Sequence, residues 1–197
     1  MLNAIDFNSS TNTLSLGNGV YLDIELSDKF SELSCCTLGR VYVRLSDKKI
    51  LIFEDYISEF LFAMRACLRT SLKILLSRTY RRVVHDIGYV WNRETHNYWS
   101  SNSKERYEEI LDNNLCDHTG NSLRTWIYKN GKSYIFEVTP VYPWHSDDPS
   151  EGEEVESYED FMKRYKPVLK TTLSVTCVND LIRLSKRLLR YYYADCA

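Results

Sequence analysis

The chain has 197 residues, 44% hydrophobic and 26% charged, with a formal net charge of −2. That is an ordinary globular composition, long enough to bury a core without staples, and the charge selects no class of partner. No apolar run reaches bilayer length: the richest, Ile57 to Leu76, carries Arg65, Arg69 and Lys73. The opening MLNAIDFNSS has neither a basic n-region nor an apolar h-region, and the six cysteines (35, 36, 67, 116, 177 and 196) form no CxxC pair. The expectation is a cytoplasmic chain with reduced thiols, no membrane span and no cofactor.

Taken in order, residues 4–26 read as strand, turn, strand: AIDFN, a polar Ser/Thr/Asn cluster as the turn, then TLSLGNGVYLDIEL, in which Gly17-Asn18-Gly19 is a turn or bulge and Tyr21, Asp23 and Glu25 alternate with Val20, Leu22, Ile24 and Leu26. RVYVRL and KKILIF form a second pair joined through Ser46-Asp47-Lys48. From Glu54 to about Arg78 the period becomes helical, Leu61, Met64, Leu68, Leu72 and Leu75 recurring at steps of three and four. VVHDIGYVW reads as a strand carrying His85, Tyr89 and Trp91, and the polar NRETHN after it as a loop. Ser103 caps a helix running to Leu115, and Cys116 to Asn121 turn the chain into the next element.

That element, Arg124 to Trp144, is a β-hairpin. Asn130-Gly131 is the dipeptide a type I′ turn demands. With those two as the loop, Ile127 faces Tyr134, Trp126 faces Ile135, and Arg124 faces Glu137 as an ion pair. Tyr134, Phe136, Val138 and Tyr142 share the apolar face. Pro140 and Pro143 lack donors, so the strand leaves the sheet after Thr139 or lies at its edge. Tyr142, Trp144 and His145 are then either the covered end of a core hairpin or an exposed aromatic platform. Beyond them, Asp147, Asp148, Glu151, Glu153, Glu154, Glu156, Glu159 and Asp160 make eight acids with no base among them. A short helix EDFMKRY stopped by Pro167, a strand LKTTLSV and a closing helix VNDLIRLSKRLLRYYY complete the chain. The whole is a single α+β domain, mainly antiparallel, with helices near 55–78, 103–115 and 176–192.

The motifs for chemistry are weak. The four histidines (85, 96, 118 and 145) show no H-E-x-x-H spacing. Cys116 and His118 make at most half a metal site, and no metal is expected. There is no Gly-rich phosphate loop and no G-x-S-x-G elbow, so catalytic residues are not expected; a histidine base at 85, 118 or 145 is the enzyme alternative. Arg65, Arg69, Lys73, Arg78, Arg81 and Arg82 make a stripe without an intervening acid, which is either a solvated helix face or a contact for nucleic acid. The acidic segment beside Tyr142 and Trp144 suits a basic protein.

The segment YKNGKSYIFEVTPVYPW, the acids after it and YEDFMKRYKP resemble small bacterial proteins of polymorphic-toxin loci, akin to the immunity proteins of contact-dependent growth inhibition. The resemblance spans about Ser122 to Pro167. It implies a cytoplasmic, non-enzymatic protein that binds one cognate toxin domain, and it supplies no residue roles. The partner-contact candidates, on physical grounds, are Tyr142, Trp144, Asp147, Asp148, Glu151, Glu153, Glu154 and Glu156.

Overall fold

The computed structural model describes residues 6–34, 36–73, 86–101, 114–117, 122–145 and 155–194. The fold is α+β with two antiparallel sheets. The first is the meander β1 (Thr11–Gly17), β2 (Val20–Leu26), β3 (Leu38–Leu45) and β4 (Lys48–Tyr56), in that spatial order. Its first loop is Asn18-Gly19, both at positive φ (53° and 75°), the backbone a type I′ turn requires. A bulge between Ser15 and Gly17 precedes it. One face of this sheet is apolar and buried through Leu14, Leu22, Ile24, Val41 and Val43.

The other face is a lattice of crossed charges. Arg44 Nε bonds Asp23 Oδ2 at 2.7 Å, Lys49 Nζ bonds Glu25 Oε1 at 2.6 Å, and Arg40 Nε bonds Glu54 Oε1 at 2.6 Å. The Arg44 guanidinium holds the Asp23 carboxyl below the usual carboxylate range against the opposing effect of burial. Exposed pairs of this kind contribute at most about 1 kcal/mol each, so they reinforce the register more than the stability.

The chain then enters α1 (Ile57–Lys73), where Phe60, Leu61, Met64 and Leu68 are buried at helical spacing. The expected helical period is there, and residues 74–85 lie outside the described region. The second element differs from expectation: α2 (Ile87–Ser101) is a helix through the segment read as strand and loop. Ile87, Val90 and Trp91 are its inward apolar residues, at steps of three and four from Ile87. Asn92 and Thr95 are buried beside them. Of the helix expected at 103–115, residues 102–113 lie outside the described region, while Asn114–Asp117 form strand β5. Cys116 therefore belongs to a strand, not a turn.

Strands β5, β6 (Leu123–Asn130), β7 (Ser133–Pro140) and β8 (Leu169–Leu173) make the second sheet in sequence order. Its hairpin turns one residue later than expected. Asn130 pairs with Ser133, leaving Gly131-Lys132 as the loop. Only Gly131 has positive φ (60°), the pattern of a type II′ turn with glycine first. Ile127 therefore faces Phe136, Trp126 faces Glu137, and Arg124 faces Thr139, so the expected Arg124–Glu137 pair does not form. A slip of two keeps every side chain on its own face. Replacing Gly131 by alanine should destabilise the protein by about 1 kcal/mol, since an L-residue is strained at that φ. Lys132→Ala should stay within about 0.5 kcal/mol in the same urea titration. A larger loss at Lys132 would restore the type I′ register.

The core is continuous from sheet to sheet. Leu22 and Val41 of the first sheet, Ile127, Phe136 and Val138 of the second, and apolar residues of α1 belong to one cluster. The closing helix α4 (Val175–Ala194) lies along α1 and adds Val178, Leu181 and Leu188 to it, with Leu184 at its margin and Arg183, Lys186, Arg187 and Arg190 exposed. The opposite face of the second sheet carries a smaller cluster in which Trp126, Tyr128 and Ile135 meet Ile87, Val90 and Trp91 of α2. Strand β7 is thus buried on both faces. The expected short helix is α3 (Tyr158–Arg164), capped by Ser157, whose hydroxyl accepts from Asp160 N at 3.1 Å.

Candidate functional site

The site forms where the chain leaves β7 and α2 crosses it. Past Pro140 the ladder ends, leaving the Pro140 carbonyl and the Tyr142 N–H in need of partners. Asn92, fully buried on α2, serves both. Its Nδ2 donates to Pro140 O (3.0 Å) and Gly88 O (2.9 Å), and its Oδ1 accepts from Tyr142 N (2.8 Å). His145 Nε2 lies 3.3 Å from the same Oδ1. One amide side chain therefore fixes the exit path of the strand.

Around that path the rings gather. Tyr142 lies within 6.2 Å, centroid to centroid, of His96, Trp144, His145, Tyr158 and Phe161. His96 of α2 stacks flat on Tyr158 of α3, with centroids 3.6 Å apart and planes within 5°. Trp91 meets His145 edge-on at 5.4 Å and carries the Arg124 guanidinium 3.9 Å above its ring. Burial, then the neighbouring His96 and Arg124, push His145 down to about 4, so it is neutral at physiological pH. Burial and adjacent acids raise the Tyr142 phenol, and burial pushes Tyr158 up to about 12.

The expected contact residues fall unequally on this frame. Tyr142 is 7% exposed and donates its hydroxyl to Glu156 O at 3.1 Å, so it supports the surface instead of presenting itself. Trp144 and His145 are half-buried at the rim. Glu156 is taken by the guanidinium of Arg164, which holds its carboxyl low, and Asp160 is likewise engaged by Lys163 and Ser157. Asp147, Asp148, Glu151, Glu153 and Glu154 lie outside the described residues, in the stretch between His145 and Val155. Both ends of that stretch are secured to the ring cluster.

The basic stripe is not gathered into one open face among the described residues. Arg69 is exposed, but Arg65 is half-buried with Nε turned inward; the Lys73 side chain and Arg78, Arg81 and Arg82 lie outside the described region. His85 and His118 lie outside it too, and the histidine beside His145 is His96, which belongs to the polar NRETHN segment expected to be a loop. Asn92 was missed for the same reason. The usable signal was their spacing of four, which places both on one side of a helix. A separate groove of about 520 Å³ lies across the ends of β2, β3 and β4, lined by Glu25, Leu38, Arg40, Glu54 and Asp55. It brings together no histidine or cysteine. Among the described residues no helix is long and apolar enough to cross a membrane. Set against family models, curated proteins and solved structures, the chain matches none of them.

Proposed function

We propose that the chain is a non-enzymatic binding protein of the immunity type, which neutralises a cognate toxin domain in the cytoplasm by covering a basic active site, such as a nuclease groove. The observation that carries this reading is the anchoring of the acidic segment. Five acids, Asp147 to Glu154, lie between His145 and Val155, and the flanking residues Tyr142 and Glu156 are joined by a hydrogen bond of 3.1 Å. Closing the stretch at its base lowers the entropy lost when it meets a partner. The carboxylates steer a basic surface in, and Trp144 at the rim is an aromatic anchor of the kind that slows dissociation.

The test is co-expression with the C-terminal domain of whatever protein the gene immediately upstream encodes. Growth inhibition should be relieved. In stopped-flow association with that domain, replacing Asp147, Asp148, Glu153 and Glu154 by their amides should slow the on-rate about tenfold at low salt and flatten its salt dependence. Toxicity that persists overturns the immunity reading. An unchanged on-rate moves the binding face elsewhere.

A further inference from the structure

The start of α2 rests on a carboxyl group from the sheet below. Glu137 of β7 is fully buried, and its Oε1 accepts from Gly88 N at 3.0 Å in the first turn of the helix. Its Oε2 accepts from the Tyr128 hydroxyl of β6 at 2.7 Å. On β8 the residue directly across the ladder is Lys170, so the two side chains share a face of the sheet. Lys170 Nζ nevertheless donates to Asp86 Oδ1, immediately before α2. Tyr165, which follows α3, brings a second buried hydroxyl to the same place.

Glu137 is thus faced by Tyr128 from β6, Lys170 from β8, Asp86 and the Gly88 N–H from α2, and Tyr165 beyond α3. Burial, then the neighbouring acids, raises both phenols above their ordinary range, so they stay neutral. Among these described groups two carboxyls face one ammonium. With Lys170 bonded to Asp86, an ionised Glu137 is a buried negative charge met by neutral donors, and its desolvation is costly. Burial accordingly raises the Glu137 carboxyl, with its two hydrogen bonds and Lys170 opposing. Lifting α2 would open that carboxyl to water and return it to about 4.3. The helix in place therefore holds a proton that the lifted helix releases.

We propose that Glu137, Asp86 and Lys170 form a proton-operated latch, in which a proton on the Glu137 carboxyl holds the start of α2 against β7 and its loss frees the helix to lift. The latch reaches the candidate site because α2 also carries Asn92, whose side chain fixes the exit of β7 toward Tyr142 and His145. Docking is strongest below the lifted-state value of about 4.3. It weakens by up to about tenfold per pH unit above that, and levels off once pH passes the docked-state value. The inference is independent of the immunity reading.

The experiment is hydrogen exchange by mass spectrometry on the full-length chain from pH 5 to 9, corrected for intrinsic exchange rates. Protection of residues 87–101 should fall by up to about tenfold per pH unit relative to residues 20–26 of β2. The emission of Trp91, packed on Trp126 at 6.2 Å, should change over the same interval. Glu137→Gln should abolish the fall. Asp86→Asn leaves Lys170 to Glu137 and should end the fall at lower pH, whereas Lys170→Met should extend it to higher pH. His96→Gln, farther along the same helix, should leave it unchanged. If Glu137→Gln loses its fold by circular dichroism, the opposite shifts of Asp86→Asn and Lys170→Met carry the result. A flat wild-type profile, a fall that survives in a folded Glu137→Gln or vanishes in His96→Gln, or shifts of the same sign in Asp86→Asn and Lys170→Met overturn the proposal.

Discussion

Gly88→Ala is expected to lower the melting temperature by about 6–12 °C, the largest loss from an added methyl at any described glycine, corresponding to about 3 kcal/mol. Propensity alone points the other way: alanine within a helix is favoured over glycine by about 1 kcal/mol. The sign is set by the sheet beneath. A Cβ on Gly88 would lie 2.2 Å from Thr139 Cγ2, 2.4 Å from its Oγ1 and 2.5 Å from its Cβ. Thr139 cannot yield, since it is buried, β-branched, and takes a hydrogen bond from Trp126 Nε1 at 3.1 Å. The helix must therefore lift, loosening the Asn92 bonds and the Gly88 N–H bond to Glu137 together. Differential scanning calorimetry decides it. A stabilised Gly88→Ala protein would mean that α2 does not sit on β7 as described.

Glu137→Leu should cost about 2–5 kcal/mol, and Glu137→Gln much less. Glu137 is fully buried, with Oε2 accepting from Tyr128 OH (2.7 Å) and Oε1 from Gly88 N (3.0 Å). Leucine would leave both donors buried and unpaired. Glutamine keeps an acceptor for one of them, and the Tyr128 hydroxyl can turn to accept from the new amide. Burial raises the Glu137 carboxyl above the ordinary range, although its two hydrogen bonds oppose this. The folded-state pKa thus exceeds the unfolded value of about 4.3. The stability that follows from this shift is present below the unfolded value and is lost as pH rises through the folded one. The wild type's advantage over Glu137→Gln should therefore shrink as pH is raised from 4 to 8 in urea titrations. An advantage that grows with pH would show that the ionised carboxylate is the favoured form.

These residues also show where the sequence was legible. Strand β2 could be read because it alternates strictly, and the turn before it because Asn18 and Gly19 tolerate positive φ; β1 was misplaced, since it runs from Thr11 to Gly17 through the polar cluster expected to be a turn, while residues 6–10 form no strand. Helix α4 could be read because Leu181 and Leu188 are buried while Arg183 and Lys186 between them are exposed. Helix α2 was hidden by the polar residues it buries. Its inward side carries Asn92 and Thr95, polar groups buried at 0% and 2%, so its pattern looked like a polar loop after an apolar run. Nothing local announces that Asn92 will meet the donors and acceptors of a strand some fifty residues later. The hairpin register failed for a related reason. Two glycine-containing turns were available one residue apart, and distant partners of Glu137 and Trp126 distinguish them.

The order of the chain along the ribosome gives the first sheet an awkward interval. Residues 11–56 form a complete local meander, and such short-range pairings assemble early. Yet the helix Val175–Ala194, which adds Val178, Leu181 and Leu188 to the core, is made long after them. At synthesis rates of about 5–20 residues per second, the leucine and valine face waits roughly 7–28 s for it. During that interval α1 can cover only part of the surface. The outward lattice of alternating charges then acts as a solubiliser, keeping one side of a nascent sheet unattractive to neighbouring chains. A nascent chain stalled before Val175 would keep that apolar face exposed, making it a natural client for chaperones and proteases.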